Sequence, residues 1–393
     1  MSGRRLVAAL AVSLAVQTLT AMGLAVPSVL APVAASDFDV APTALGRWVG
    51  FSYMMAMFTG LAGGTFVVRH GPARMLQAAV VGVALGLAIG AGAKIALLLL
   101  CGALLGAAHG LVNPASSAIL ATVSPPGIRS TVFSIKQTGV PLGGAIAGIL
   151  VPGLLLWMSW QAAVVALAAG AAVLLPLVAL HRSVHDAAPR VERLHLRSFV
   201  APVAEVWGNR PILELAAISG VYSAIQISFL TYLVSYLKLE LGYSLVAAGV
   251  VFSASQISGA LGRVLWGVVA DHVLKPRTVL AGLGLVMTLC GIAVASFSGA
   301  WPASAVLSVC VLYGATAVGW NGVFLAEVAR LAPEGRVAFL TGGTQFFTFA
   351  GVLIGPPLFG AIASLAGSYG AGFMATAALP LLVVVPMIAR RER

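Results

Sequence analysis

The sequence predicts an all-α polytopic membrane protein, with twelve transmembrane helices in two six-helix bundles and both termini cytoplasmic. Three observations predict it. The 393 residues are 60% hydrophobic and 8% charged, against about 25% charged in an ordinary soluble domain. The apolar residues fall into twelve runs, each near the roughly 20 residues that a spanning helix needs. The basic residues gather on alternate connecting segments. The same apolar richness excludes disorder, and it leaves too little polar sequence to clothe a soluble enzyme.

The first run, near 6–34, follows Arg4 and Arg5 and ends before Asp37. Val33-Ala34-Ala35 resembles a signal-peptide cleavage site, but the run is about twice the length of a secretory apolar region and eleven more follow, so it reads as a span. Runs near 47–67 and 75–93 flank the segment from Arg69 to Arg74. Those near 96–122, 130–155 and 161–181 complete a first bundle, residues 1–181. The longest polar stretch, 182–210, holds Arg182, Asp186, Arg190, Glu192, Arg193 and Arg197 and is expected to be a cytoplasmic linker. The second bundle, 211–393, takes the runs near 211–236, 245–268, 278–297, 303–327, 338–362 and 371–389.

With the N-terminus inside, Arg47, Lys94 and Lys238 fall outside and Lys136 falls within the fifth span, which leaves eighteen of the 22 Lys and Arg on the inner side. This is the positive-inside pattern. It accounts for the net charge of +11 without a nucleic-acid partner. Cys101, Cys290 and Cys310 all lie in spans without metal-ligand spacing and read as small buried hydrophobes. No cofactor or metal is expected. There is no phosphate-binding Gly-Lys-Ser/Thr loop, so energy is expected from an ion gradient or from exchange rather than from ATP.

The two halves repeat. After the second span the chain reads Gly64-Thr65-Phe66-Val67-Val68-Arg69-His70-Gly71-Pro72-Ala73-Arg74, and after the eighth Gly267-Val268-Val269-Ala270-Asp271-His272-Val273-Leu274-Lys275-Pro276-Arg277. The fourth and tenth spans carry Gly106-Ala107-Ala108-His109-Gly110 and Gly314-Ala315-Thr316-Ala317-Val318-Gly319. The fifth and eleventh carry Gly/Pro clusters at 139–144 and 351–360. Parallel six-helix repeats are a transporter plan, with the substrate site near the midplane.

On these motifs, and over essentially its whole length, the chain resembles the major facilitator superfamily. The most specific element is Gly267-x-x-x-Asp271 with Lys275 and Arg277 following, against a family pattern Gly-x-x-x-Asp-Arg-x-Gly-Arg. The first loop keeps Gly64, Arg69 and Gly71 but has Val68 at the Asp position. The resemblance implies a gating role for Gly64, Arg69, Gly71, Gly267, Asp271 and Arg277. The alternative is a static loop that serves topology and capping. The cluster at Gly139-Val140-Pro141 resembles an antiporter motif with its Pro shifted by one. Gly262-Arg263-Val264-Leu265-Trp266-Gly267 is similar to the eighth helix of the monocarboxylate and oxalate–formate exchangers, which implies that Arg263 binds a substrate carboxylate.

Ionisable groups inside spans are costly and mark function. Lys136, followed by Gln137, lies about two turns into the fifth span, and His109 lies mid-span in the fourth with Asn113 one turn on. No carboxylate falls at mid-depth. An arriving anion offsets part of the desolvation of a buried cation, which points to an anionic substrate. Expected substrate-binding residues are Lys136, Arg263, Gln137, Asn113, Gln256, Asn321, Trp320 and Gln345; expected proton carriers are His109 and Glu327. Gln17, Tyr53 and Gln226 also stand where they can line a cavity. Each has a plainer reading: Arg263 pairs with Asp271 or snorkels inward, Lys136 snorkels past Arg129, His109 bridges helices, and the amides glue packing.

The expected function is secondary active transport of a small organic anion, a monocarboxylate, by alternating access and coupled to protons. The alternative is a proton-driven efflux pump for drugs or metabolites. Enzyme motifs are absent. The expected partners are the anionic substrate, H+ and the lipid bilayer, with the chain a monomer in a bacterial inner membrane.

Overall fold

The computed structural model describes residues 3–125, 129–179, 197–333 and 337–389, and among these every element is helical. In chain order the helices are α1 Gly3–Ala34, α2 Leu45–His70, α3 Pro72–Gly90, α4 Ile95–Val123, α5 Arg129–Gln137, α6 Gly139–Leu154, α7 Trp160–Ala172 and α8 Leu174–Ala179. There follow α9 Arg197–Gly208, α10 Arg210–Leu239, α11 Leu245–His272, α12 Pro276–Ala295, α13 Ala303–Ala317, α14 Asn321–Leu331, α15 Val337–Ala366, α16 Tyr369–Ala377 and α17 Leu379–Ala389. Several pairs join into single spans, and among the described residues eleven segments are long and apolar enough to cross a membrane. The twelfth expected span is α2. Its 26 residues extend about 39 Å at 1.5 Å per residue, enough to cross the apolar layer of a membrane.

Proline explains where three spans are interrupted. It lacks an N–H, and its ring collides with the carbonyl four residues earlier. Helix α5 ends at Gln137, four before Pro141; α7 ends at Ala172, four before Pro176; α16 ends at Ala377, three before Pro380. Other prolines, such as Pro27 and Pro32 in α1 and Pro114 in α4, sit inside unbroken helices. Neighbouring helices can satisfy the freed carbonyls there.

The chain divides into two compact units, Met1–Val40 with Phe51–Leu194, and Ala41–Gly50 with His195–Arg393. In the first unit α1 packs on α6, α4 and α3, and α3 on α4 and α7. In the second, α10 packs on α15, α11 on α13, and α12 on α13 and α16. Part of the stretch expected as a linker is ordered as α9. Its Val206 is buried with Ile212, Ala216 and Leu340, and Trp207 stacks on Phe347 with centroids 6.3 Å apart. Residues 182–196 lie outside the described residues.

Glycine sets the helix spacing in both units, and it does so twice over. A Cβ on Gly106 would stand 1.9 Å from the Ser52 carbonyl oxygen, and one on Gly110 2.3 Å from that of Ala56. In the second unit a Cβ on Gly314 would stand 2.1 Å from the Ser255 carbonyl oxygen, and one on Gly262 2.3 Å from that of Ala315. Such backbone-on-backbone contact is what small residues supply in lipid, where packing rather than water exclusion drives helix association.

Tyr232, fully buried in the second unit, caps the start of α2 there. Its hydroxyl accepts from the Gly46 N–H at 2.8 Å and lies 2.8 Å from the Thr43 carbonyl and 3.0 Å from the Pro356 carbonyl, to one of which it donates. Gly46 is in the first turn, where an N–H has no intrahelical partner. Tyr232→Phe strands that donor and should cost about 1–3 kcal/mol, read as a lower Tm of the purified protein in detergent. An unchanged Tm would show the cap to be dispensable.

Candidate functional site

In the first unit α1, α2, α4 and α5 each contribute polar groups. Lys136 lies in the last turn of α5, where the helix dipole favours a cation, and Pro141 ends the helix just beyond it. Its side chain is 1% exposed, and its ammonium donates to Asn113 Oδ1. Among the described residues no carboxylate pairs with it. Asn113 and His109 are four residues apart on α4 and therefore share a face. Asn113 is exposed and His109 half-buried. The Nδ1 of His109 is buried without a hydrogen-bond partner among the described residues. The imidazole lies within electrostatic reach of Lys136, and the Tyr53 ring meets it edge-on at 6.0 Å. On α1, Gln17 is 0% exposed, and neither end of its carboxamide has a partner among the described residues. Gln137 is half-buried.

The structure thus brings together Lys136, Asn113 and His109, and adds Tyr53 and Gln17, which the sequence marks only as polar groups within spans. An apolar-embedded amide with two idle ends is costly, and that cost is visible only once the neighbours are known.

In the second unit the expected residues are more occupied. Arg263 donates from Nε to the Val318 carbonyl at 3.1 Å, and Trp266 donates its indole N–H to the Ala315 carbonyl at 2.7 Å. Both carbonyls border the break between α13 and α14, so these two side chains satisfy backbone that the break leaves open. Trp320 is 0% exposed; its indole donates to Gln226 Oε1 at 3.0 Å and its ring meets Tyr222 edge-on at 5.8 Å. Gln256 is buried, with Oε1 unpartnered among the described residues. Asn321 and Gln345 are half-buried.

Glu327 is 0% exposed and is held by two arginines. Arg330 reaches it at 2.6 and 2.7 Å, and Arg277 at 3.4 Å. Arg277 also meets Glu214 at 3.3 Å, which Arg210 approaches at 3.9 Å. Asp271 is exposed and makes no ion pair among the described residues. The ion-pair network at this end of the unit therefore runs through Glu327 and Glu214. Glu327→Gln leaves two arginines without their shared countercharge and should cost about 1–3 kcal/mol. Arg330→Gln should cost under about 1 kcal/mol, because that side chain is 62% exposed and solvent screens it. Thermal unfolding of both variants checks the order, and a larger loss from the arginine would reverse it.

Of the expected gating residues, Gly71 has φ 90° as it caps α3, a conformation that suits glycine alone. Arg69 is exposed. A Cβ on Gly267 would meet nothing within 4 Å, so no helix approaches closely there. The surroundings of Gly64 lie outside the described residues.

A family model described as Major Facilitator Superfamily matches residues 13–347. A hexuronate transporter of Bacillus subtilis (strain 168) is 27% identical over 392 residues, covering 92% of this chain and 89% of its own. An MFS-type efflux pump of Mycolicibacterium smegmatis is 29% identical over 416 residues, covering 98% of this chain and 91% of its own. A solved bacterial homolog of the human lysosomal transporter Spinster, inward-facing and unoccupied, matches with a TM-score of 0.78 at 15% identity, over 99% of this chain and 96% of that one. At that identity the likeness concerns the fold.

Proposed function

Since the chain belongs to the major facilitator superfamily and is a multi-pass membrane transporter, we propose that it carries a small organic anion with a carboxylate by alternating access, coupled to protons. The observation that carries this reading is Lys136, an amine 1% exposed whose partner among the described residues is a neutral amide. A buried charge needs a countercharge, and a substrate carboxylate supplies one. Asn113, exposed beside it, is the second group assigned to the anion. His109 is the better proton carrier, because Glu327 is held by two arginines while the imidazole Nδ1 is idle. Glu327 and Arg277 then serve gating. Both termini face the cytoplasm of a bacterial inner membrane, supported by the inner-side bias of the basic residues. The hexuronate transporter among the relatives agrees in chemistry, since a hexuronate is a sugar carboxylate.

A second reading, proton-driven efflux of drugs or metabolites, is favoured by the Gly139-Val140-Pro141 cluster and by the efflux pump among the relatives. Sealed proteoliposomes with an imposed pH gradient separate the two. Saturable flux of labelled carboxylates that responds to the gradient is the expected result. Extrusion of cationic dyes with no carboxylate flux would overturn the anion reading in favour of efflux.

A further inference from the structure

The glycine contacts place the two repeats in register. On α6, a Cβ at Gly139 would stand 3.1 Å from the Leu14 carbonyl oxygen of α1, and one at Gly143 2.3 Å from that of Thr18. On α15, a Cβ at Gly351 would stand 1.8 Å from the Gly220 carbonyl oxygen of α10, and one at Gly355 2.6 Å from that of Ala224. Gly139 and Gly143 thus correspond to Gly351 and Gly355, and Leu14 and Thr18 to Gly220 and Ala224. Counting along each helix then pairs Lys136 with Thr348, Gln17 with Ser223, and Ser13 with Ser219.

In the second unit these positions satisfy one another. The Thr348 hydroxyl donates to Ser219 Oγ at 3.0 Å, and Ser223 donates to the Thr348 carbonyl at 2.7 Å. In the first unit they do not. Gln17 and Ser13 are both 0% exposed, yet neither end of the Gln17 amide nor the Ser13 hydroxyl has a partner among the described residues. The stem of Gln17 packs closely on α6, since the position of a Gly139 Cβ is 3.0 Å from both Cβ and Cγ of Gln17. The same backbone frame therefore carries a closed polar cluster in one unit and an open one in the other. The open one adjoins the turn that holds Lys136.

We propose that Gln17 is a specificity residue that reads a hydroxyl of the substrate, so that the favoured substrates are hydroxylated carboxylates rather than plain alkyl monocarboxylates. This rests on the reading that Lys136 anchors the carboxylate. A carboxamide offers two N–H donors and a carbonyl acceptor. An ionised carboxylate only accepts, so it leaves Oε1 of Gln17 idle. A hydroxyl donates and accepts, and one such group beside the carboxylate satisfies both ends of the amide. A substrate ammonium would also donate, but it would stand beside the Lys136 charge. Ser13, one turn before Gln17 on the same face, offers a second hydroxyl partner to longer, polyhydroxylated acids. A site built to hydrogen-bond a hydroxyl rejects the analogue that lacks it, because its own polar groups are then left unpaired.

The test is binding of matched pairs to the purified full chain in nanodiscs: lactate against propionate, and gluconate against hexanoate. The wild type is expected to favour the hydroxylated member of each pair at least about tenfold. Gln17→Met keeps the length and removes the polar ends; it should bring that ratio close to one while propionate binding stays within about threefold. Thr348→Val, at the matching position of the closed cluster, should leave the ratio unchanged. A wild-type ratio near one, or an undiminished ratio in Gln17→Met, overturns the proposal. Should Gln17→Met fail to fold, the wild-type ratios decide. Absence of binding by every carboxylate sinks the Lys136 reading and this one with it, whereas Lys136-dependent binding without hydroxyl preference sinks this one alone.

Discussion

Lys136→Gln should abolish high-affinity anion binding while leaving a folded protein. Removing one member of a buried charge pair costs about 2–5 kcal/mol of binding, a rise in Kd of roughly 30-fold or more. The free protein should not suffer in proportion. Its buried amine has a neutral amide for a partner, so Gln at this position removes a group whose charged form is costly to bury and strands no countercharge. The expected signature is therefore an unchanged or raised Tm without ligand, together with loss of the ligand-induced rise in Tm. Lys136→Arg should rescue poorly, because a planar guanidinium does not occupy the space of a compact ammonium. An anion Kd within threefold of wild type in Lys136→Gln would remove this residue from the site.

Gly351→Ala should be the most damaging single methyl in the second unit. The added carbon would fall 1.8 Å from the Gly220 carbonyl oxygen and 2.5 Å from Ser223 Oγ. The first of these is backbone, so no rotamer change relieves the contact, and α15 must move off α10. That movement also breaks the Ser223 and Thr348 hydrogen bonds. Overpacking alone costs about 1–3 kcal/mol, and the lost hydrogen bonds add about 1 kcal/mol each. Gly267→Ala is the control, since its Cβ meets open space and alanine is the better helix former. Thermal unfolding in detergent should show a large loss for the first and none for the second. A wild-type Tm for Gly351→Ala would mean that the helices are not in the contact described.

Sequence and structure divide the explanation between them. The span count is legible because a lipid-embedded helix must be apolar over its length, and the breaks at 138, 173 and 378 follow from prolines already visible in the chain. Lys136 stands out as a charge within an apolar run. Its partner does not, because Asn113 lies on another span, and only the packing of α4 on α5 decides which of several nearby polar groups it meets. The same holds for Arg277. Its neighbours in the chain suggest Asp271 as a companion, whereas folding brings Glu214 and Glu327 within 3.4 Å from other helices. Among 45 glycines, nothing local separates Gly351, pressed on backbone, from Gly267, which faces open space; the difference lies in the opposing helix. Gln17 and Gln226 look alike in the chain. One finds an indole N–H and the other finds nothing among the described residues.

The glycine-to-carbonyl contacts that space the helices use no side chain on the accepting helix. Selection can therefore rewrite the polar ends of neighbouring side chains while the backbone contacts keep the frame. The closed cluster of Ser219, Ser223 and Thr348 and the open one of Ser13, Gln17 and Lys136 are two contents of one mould. On this view the fold separates what must be inherited from what is free to drift, so a lineage could acquire a new cargo through two or three substitutions at positions such as 13, 17 and 136.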